Sequence, residues 1–381
     1  MNLATSAAPL PVRTRGPVLV SGVPSPSALA DVTRAADQAR LGVSVATTSR
    51  EVDRWLEAHH PSAIVVDAVG QAAEQACLHL RYNPMLANVP ILGLVDTVSD
   101  LAFEEMFGWG ADDLTLRGNE HMMARRLRQV ALAGDIPRSR QRGVAVVADP
   151  DRRRRVLTAR VLRNAGWGVT FALDAAEAIR EASHTAVELV VSASALEPAE
   201  GESLAGRARK AGVVAPWVVA IAPKEAARIR AATAGLSHVA VYDAFGPPEN
   251  VLFVANELMR RGVPDGRASA RLLYGTTVHF RAAGAESDEM GYCYNVSGGG
   301  VYVRTLAPLA RGSDAWLEMR PPRCDRRVRL EGKVVWTRGF GPNDAATVPP
   351  GFGVQISGGS INDLERYARG YNAFAAEMQL S

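Results

Sequence analysis

Between Pro17 and Arg260 the chain alternates short apolar runs with stretches of helical periodicity, and it does so in two copies. In the first copy the runs are VLVSG (18–22), VSVAT (43–47), AIVVDAV (63–69), PILGLV (90–95) and a weaker DLTL (113–116). In the second they are VAVVA (144–148), VTFA (169–172), ELVVSA (188–193), WVVAIA (217–222) and VAVY (239–242). Strands that are apolar along their whole length must be covered on both faces. When helices separate them, the arrangement that satisfies this is a parallel sheet with helices on either side. Five strand–helix pairs make one doubly wound domain. The first strands start at Val18 and Val144, 126 residues apart, which indicates a tandem duplication of one fold. The predicted helices of the first copy cover the stretch up to Arg40, Arg50–His59, Ala72–Tyr82, Ser99–Trp109 and a last one reaching Ala133. The final helix of the second copy runs from Pro248 to Arg260.

After RRGVPDG (260–266) the pattern changes to consecutive alternating strands: TTVHFR, GYCYNVS, GVYVRT, DAWLEMR, RVRLEGKVVWTR and GFGVQI. Turn-separated strands without intervening helices predict an antiparallel barrel or sandwich. Gly332 within LEGKVVW marks a candidate bulge. A terminal helix over Ile361–Glu377 carries Leu364, Tyr367, Tyr371 and Phe374 at helical spacing, a stripe expected to cap the barrel. The predicted organisation is a flexible tail (1–16), an α/β domain (17–134), a linker DIPRSRQR (135–142), a second α/β domain (143–261) and a β domain (262–378).

Composition excludes several classes. Three cysteines, Cys77, Cys293 and Cys324, are too few and too scattered for a disulfide framework or a zinc cluster. No apolar run reaches ~18 residues, so no membrane helix is expected. The N-terminus lacks a secretory apolar stretch, which makes a cytoplasmic setting the expectation. The 43 basic and 40 acidic residues leave a net charge of +3, and no DNA partner is expected from so balanced a chain. No catalytic triad, phosphate loop, metal-ligand cluster or paired-carboxylate motif is evident, so neither enzymatic activity nor a metal or other cofactor is predicted. The run Arg152–Arg155 reads as a solvated helix face. The pair His59-His60 reads as a helix end, and Trp167 and Trp217 as core.

The strand order and landmarks of the first two domains resemble the receiver domains of response regulators. Asp67 ends the third strand, where that family carries its phosphoacceptor; RYNPMLANVPILGLV and GADDLTL match the stretches leading into strands four and five. Phosphoryl transfer to a carboxylate needs a divalent cation held by several oxygens. Here the family's acidic pair falls at Ser21-Gly22, its hydroxyl at Val95 and its lysine at Arg117, so Asp67 stands alone and its phosphorylation is not expected. The second domain keeps Asp149, but the acceptor falls at Ala193 and the lysine at Tyr242. Both domains are read as degenerate receivers that serve as scaffolds or docking surfaces.

Two motifs in the last domain carry the functional signal. One is Arg267-Ala-Ser-Ala-Arg271. The other is Asn295-Val-Ser297-Gly298-Gly299-Gly300, with 23 residues between Arg271 and Asn295. Together with GKVVW and PPGFGVQI they resemble the PilZ family, in its variant abundant in gliding myxobacteria. The resemblance implies cyclic di-GMP as the ligand, with Arg267, Arg271, Asn295, Ser297 and Gly300 as binding residues. The chemistry suits a guanine phosphodiester. Guanidinium forks bond phosphate or the O6/N7 edge of guanine. An amide offers donor and acceptor, and glycines admit flat bases to the backbone. Gly266 stands where many family members carry a further arginine, which lowers the expected affinity. Because only Arg261–Gly266 joins the second domain to the first ligand arginine, ligand capture is expected to reorient the receiver-like pair and so regulate a protein partner. Motility, exopolysaccharide production and development are the outputs the family implies, and no residue selects among them or sets the oligomeric state. The alternative is an interaction scaffold whose barrel binds no nucleotide.

Overall fold

The central apolar runs become buried parallel strands because helices cover them on both sides, while the edge strands Val43–Ala46 and Gly168–Ala172 stay partly exposed. The computed structural model describes residues 16–67, 69–132, 142–260, 269–341 and 347–380. The expected tail up to Arg15, almost all of the linker, Arg267 and the Arg261–Gly266 connection lie outside them.

The first domain comprises β1 (Val18–Gly22), α1 (Pro26–Gln38), β2 (Val43–Ala46), α2 (Ser49–Leu56), β3 (Ala63–Asp67), α3 (Gly70–Tyr82), β4 (Ile91–Val95), α4 (Asp100–Gly108), β5 (Asp113–Leu116) and α5 (Glu120–Leu132). The second repeats it with β6 (Val144–Ala148), α6 (Arg152–Asn164), β7 (Gly168–Ala172), α7 (Ala175–Ala182), β8 (Val187–Ala193), α8 (Leu204–Lys210), β9 (Trp217–Ile221), α9 (Ala226–Thr233), β10 (Val239–Asp243) and α10 (Asn250–Met259). The sheet orders are β2-β1-β3-β4-β5 and β7-β6-β8-β9-β10, the same flavodoxin-type topology twice. Local signals fix the helix starts. Thr48 and Glu51 form a reciprocal capping box at α2, which ends at Leu56, earlier than periodicity suggested. Trp167 and Trp217 are core; the Trp217 indole donates to Ser192 Oγ at 2.8 Å.

The third domain is a closed barrel of β11 (Leu272–Ala282), β12 (Glu289–Ser297), β13 (Gly300–Arg304), β14 (Asp314–Met319), β15 (Val328–Arg338) and β16 (Gly351–Gly359), followed by α11 (Ile361–Leu380). Around the barrel the order is β11-β12-β13-β16-β15-β14. The β15–β16 register shifts between Glu331 and Gly332, as a bulge requires. Tyr367 and Tyr371 of α11 belong to the barrel core, and Phe374 packs edge-on against Tyr274.

Buried charge joins the three domains. Asp112 accepts from Arg81 at 2.7 Å within the first domain and from Arg160 of α6 at 2.6 Å. Asp113 accepts from Arg126 at 2.8 Å and from the barrel's Thr305 hydroxyl and Leu306 N–H at 3.1 and 2.7 Å. Arg126 also reaches Glu289 and the Met290 carbonyl of β12. Arg304 of β13 is held by both oxygens of Glu249 at 2.8 and 2.9 Å and lies over the Phe107 ring. Apolar packing follows the same seams: Tyr292 enters the first domain's core beside Phe103 and Phe107, and Leu306 joins its other face.

The run Arg152–Arg155 is not a solvated face. Arg153 pairs with Glu74 and donates to the Gly108 carbonyl, while Arg152 stacks over Tyr82 at 4.4 Å. Arg154 forks onto Asp149, and Arg155 donates to the Asp149 carbonyl. The first turn of α6 is therefore an inter-domain contact, and acidic or carbonyl partners offset the unfavourable placement of cations at a helix N-terminus.

Burial and the neighbouring Arg160 push the Arg81 guanidinium down to about 10. Burial opposes ionisation of Asp112, but Arg160 and Arg81 outweigh it and hold its carboxyl below the usual range. Its contribution to stability is present above the ordinary carboxylate range and is lost as pH falls through its depressed folded value. Asp112→Ala should cost about 3–5 kcal/mol, because two buried guanidiniums lose their counter-charge. Thermal unfolding at neutral pH checks this; an unchanged transition would contradict the assignment.

Candidate functional site

Strand pairing brings the two motifs together. Leu272 pairs with Val296 and Leu273 with Asn295, so the residues after Arg271 run alongside the polar hairpin. The Gly298 N–H donates to Ser269 Oγ at 2.9 Å, tying the arm to the turn directly. Helix α11 braces both parts. Tyr371 donates its hydroxyl to the Ala270 carbonyl at 2.7 Å, and Tyr367 Oη lies 2.8 and 2.9 Å from the carbonyls of Ser297 and Gly300. Sequence reasoning placed these tyrosines as a cap and missed this role. The signal was available, since a buried tyrosine hydroxyl needs a partner that a phenylalanine would not.

Of the predicted ligand residues, Arg271 is exposed, Ser297 and Gly300 are half-buried at the hairpin, and Asn295 is only 5% exposed. Arg267 lies outside the described residues. The glycines have distinct reasons to be glycine. A Cβ at Gly300 would come 2.8 Å from the Val354 carbonyl, and one at Gly298 would crowd Ser269 and Tyr371. At Gly299 a Cβ would meet open space. Sheet and arm packing thus account for Gly300 and Gly298, which the sequence alone suggested were cleared for a base.

Asn295 begins a lateral row. It pairs with Tyr302, Tyr302 with Gly353, and Gly353 with Trp336. Core positions on these strands are Cys293, Val296, Val301, Val303, Val334, Phe352 and Val354, so the row runs over the outer face of the barrel. Register shifts between Cys293 and Asn295 and between Val334 and Trp336 set this phase. Gly353 lies between Tyr302 and Trp336 in the row, their rings pack with centroids 5.6 Å apart, and Trp336 is 40% exposed. The next row along is Ser297, Gly300, Gln355 and Lys333. The strand-to-strand register that assembles this face was not readable from the motifs.

The receiver-like sites are closed by ion pairs. Asp67 bonds Arg117 at 2.8 Å, and Arg117 reaches Asp96 at 2.8 Å; the bond to Asp67 raises the Arg117 guanidinium above its ordinary value. The other Asp67 oxygen, Oδ2, is buried without a hydrogen-bond partner. In the second domain Arg154 forks onto Asp149 at 2.8 and 2.9 Å. A cavity of about 290 Å³ opens beside that pair, bordered by Ala193 and Tyr242.

The chain thus joins two flavodoxin-type α/β domains to a closed antiparallel barrel. Residues 265–370 match the family model described as PilZ domain, and the barrel is a PilZ domain. A PilZ domain implies a cyclic di-GMP receptor or effector role. Among solved structures the chain is similar to the Bacillus subtilis inhibitor of motility (MotI/DgrA), at 18% identity and TM-score 0.25, covering 31% of this chain and 53% of that one. It is also similar to the PilZ domain of CeSA from a cellulose-synthesizing bacterium (14% identity, TM-score 0.22, 29% of this chain and 99% of that one). A third likeness is to the signal receiver domain of a histidine kinase from Syntrophus aciditrophicus (18%, TM-score 0.28, 33% and 97%). No curated protein matches the chain in sequence. No helix among the described residues is long and apolar enough to cross a membrane.

Tyr371→Phe should loosen the arm at a cost of about 1 kcal/mol. Amide exchange over 269–271 should quicken while the barrel strands keep their protection; unaltered exchange would contradict the bracing role. Acetyl phosphate with Mg²⁺ should leave Asp67 unlabelled, and a stable, metal-dependent adduct would contradict its reading as a degenerate site.

Proposed function

We propose that this chain is a non-catalytic cyclic di-GMP receptor whose PilZ domain passes the signal to a protein partner. The observation that carries the reading is the Ser269–Gly298 hydrogen bond with its flanking register, because it joins the basic arm to the polar hairpin. In this reading Arg267 and Arg271 clamp phosphate or the guanine O6/N7 edge. Ser297 and the hairpin backbone bond the ligand's polar edge, and Asn295 supports them from beneath. Trp336 offers an exposed ring for stacking, and Lys333 adds a cation on the same face. Each bidentate contact supplies roughly 1–3 kcal/mol. Two arginines with the hairpin groups could then reach about −8 kcal/mol, which is micromolar binding.

The buried contacts narrow the response. A wholesale swing of the receiver-like pair would break the Arg126–Glu289 and Arg304–Glu249 pairs and the Asp113–Thr305 bond. Leaving such charges buried and unpaired costs several kcal/mol each. Reorientation is accordingly a smaller motion than the short tether suggests. It centres on the arm, whose new conformation is what a partner reads.

Calorimetry with cyclic di-GMP tests the binding. The parent should bind in the micromolar range, more weakly at higher salt, and Arg271→Ala should lose at least about tenfold, or 1.4 kcal/mol. A variant titrating like the parent would overturn the residue assignment. No binding by the parent would leave the barrel as a protein-interaction scaffold. Small-angle scattering should change little on saturation while protease cleavage near Val263 falls; a large change in radius of gyration would contradict the narrowed motion.

A further inference from the structure

A second cavity, of about 290 Å³, lies where the three domains meet. Its walls come from α4 of the first domain, the segment after β10 in the second, and strands β11 and β12 of the barrel. It is separate from the hairpin, and neither Arg271 nor Ser297 lines it.

Its chemistry is one-sided. Four aromatic rings border it: Phe245, Tyr274, Tyr292 and Tyr294. The three tyrosine hydroxyl protons are already donated within the protein, to the Arg320 carbonyl, to Glu104 and to the Glu249 carbonyl. These side chains therefore offer an entering molecule no free hydroxyl donor. The cation in the wall, Arg304, is neutralised by both oxygens of Glu249. Its Nε has no partner but is shut off from solvent, so an entering molecule cannot use it. Two carboxylates remain. Glu104 accepts only from the Tyr292 hydroxyl and Asp243 only from the Phe245 N–H, which are neutral donors, among the described residues. Both are exposed to solvent, unlike the buried seam carboxylates Asp112, Asp113, Glu249 and Glu289, each of which faces a guanidinium. Aromatic side chains with solvent-facing carboxylates at their rim that pair with no protein cation among the described residues are a setting that attracts an organic cation, through the ring quadrupole and direct charge pairing.

We propose that this junction cavity is a binding site for a small organic cation carrying a guanidinium or primary ammonium group. Because all three domains contribute to the wall, an occupant bridges them and stabilises their docked arrangement, by the linkage that couples any ligand of one state to its population. The site does not depend on the cyclic di-GMP reading.

Agmatine, with a guanidinium at one end and an ammonium at the other, is the probe. Titrated into the full chain by calorimetry, it should bind with one-to-one stoichiometry and raise the unfolding temperature. The neutral isostere pentylurea should do neither. The double variant Glu104→Gln, Asp243→Asn keeps acceptor oxygens for Tyr292 and Phe245, and should weaken agmatine by more than about tenfold. Arg271→Ala, which removes the dinucleotide's proposed clamp, should bind agmatine like the parent. No agmatine binding at millimolar concentration, equal binding of pentylurea, or a double variant that titrates like the parent would each overturn the proposal.

Discussion

Gly110 to Asp113, four consecutive residues at the start of β5, accept hydrogen bonds from guanidinium groups of all three domains. Arg81 reaches the Gly110 carbonyl and Asp112, Arg304 the Ala111 carbonyl, Arg160 Asp112, and Arg126 Asp113. Gly110 takes a positive φ of 96°, and a Cβ there would collide with Leu157 of the second domain and with the Arg81 side chain. A glycine is needed so that the segment can lie this close to both. Charges buried this deeply are tolerable only when paired. Arg81 and Arg126 pair with Asp112 and Asp113 inside the first domain, and Arg160–Asp112 and Arg126–Glu289 extend the pairing across domain boundaries. These contacts tie the three domains together: a shift of one against another would leave buried guanidiniums without their partners.

The same economy of charge holds at the carboxylates that end β3 and follow β6. A carboxylate can bind a cation only if it is left open, and here each is answered by an arginine, Asp67 by Arg117 and Asp149 by Arg154. The face of the first domain formed by α4, β5 and α5 is occupied by the barrel through Asp100, Tyr292 and Arg126. A surface that would otherwise be available to other molecules is spent on holding the third domain in place.

Much of the fold was legible in sequence, because it rests on periodicity. Continuous apolar runs with helical spacers identify a doubly wound sheet, and the repeat from Val18 to Val144 identifies the second. The bulge at Gly332 was readable because glycine inside a strand has few other reasons to be there. Charge partnerships were not readable. The run Arg152–Arg155 looks solvated in one dimension, since nothing local says that Glu74 and Tyr82 of another domain will meet it. The adjacent acids Asp112 and Asp113 carried a warning, because two carboxylates entering an apolar strand must be answered somewhere, but their partners lie 13 to 193 residues away. At the ligand face the motifs named Arg271, Asn295, Ser297 and Gly300. The positions beside them, Tyr302, Gly353 and Trp336, emerge only from strand register, which a one-residue slip would change completely.

The Gly110–Asp113 hub fuses the three domains into one cooperative body. Differential scanning calorimetry of the full chain at neutral pH tests this most directly. A single endotherm, with calorimetric and van't Hoff enthalpies in agreement, is the predicted result. Two or three resolved transitions, each with the enthalpy of an isolated domain, would show that the seams contribute little and would contradict it.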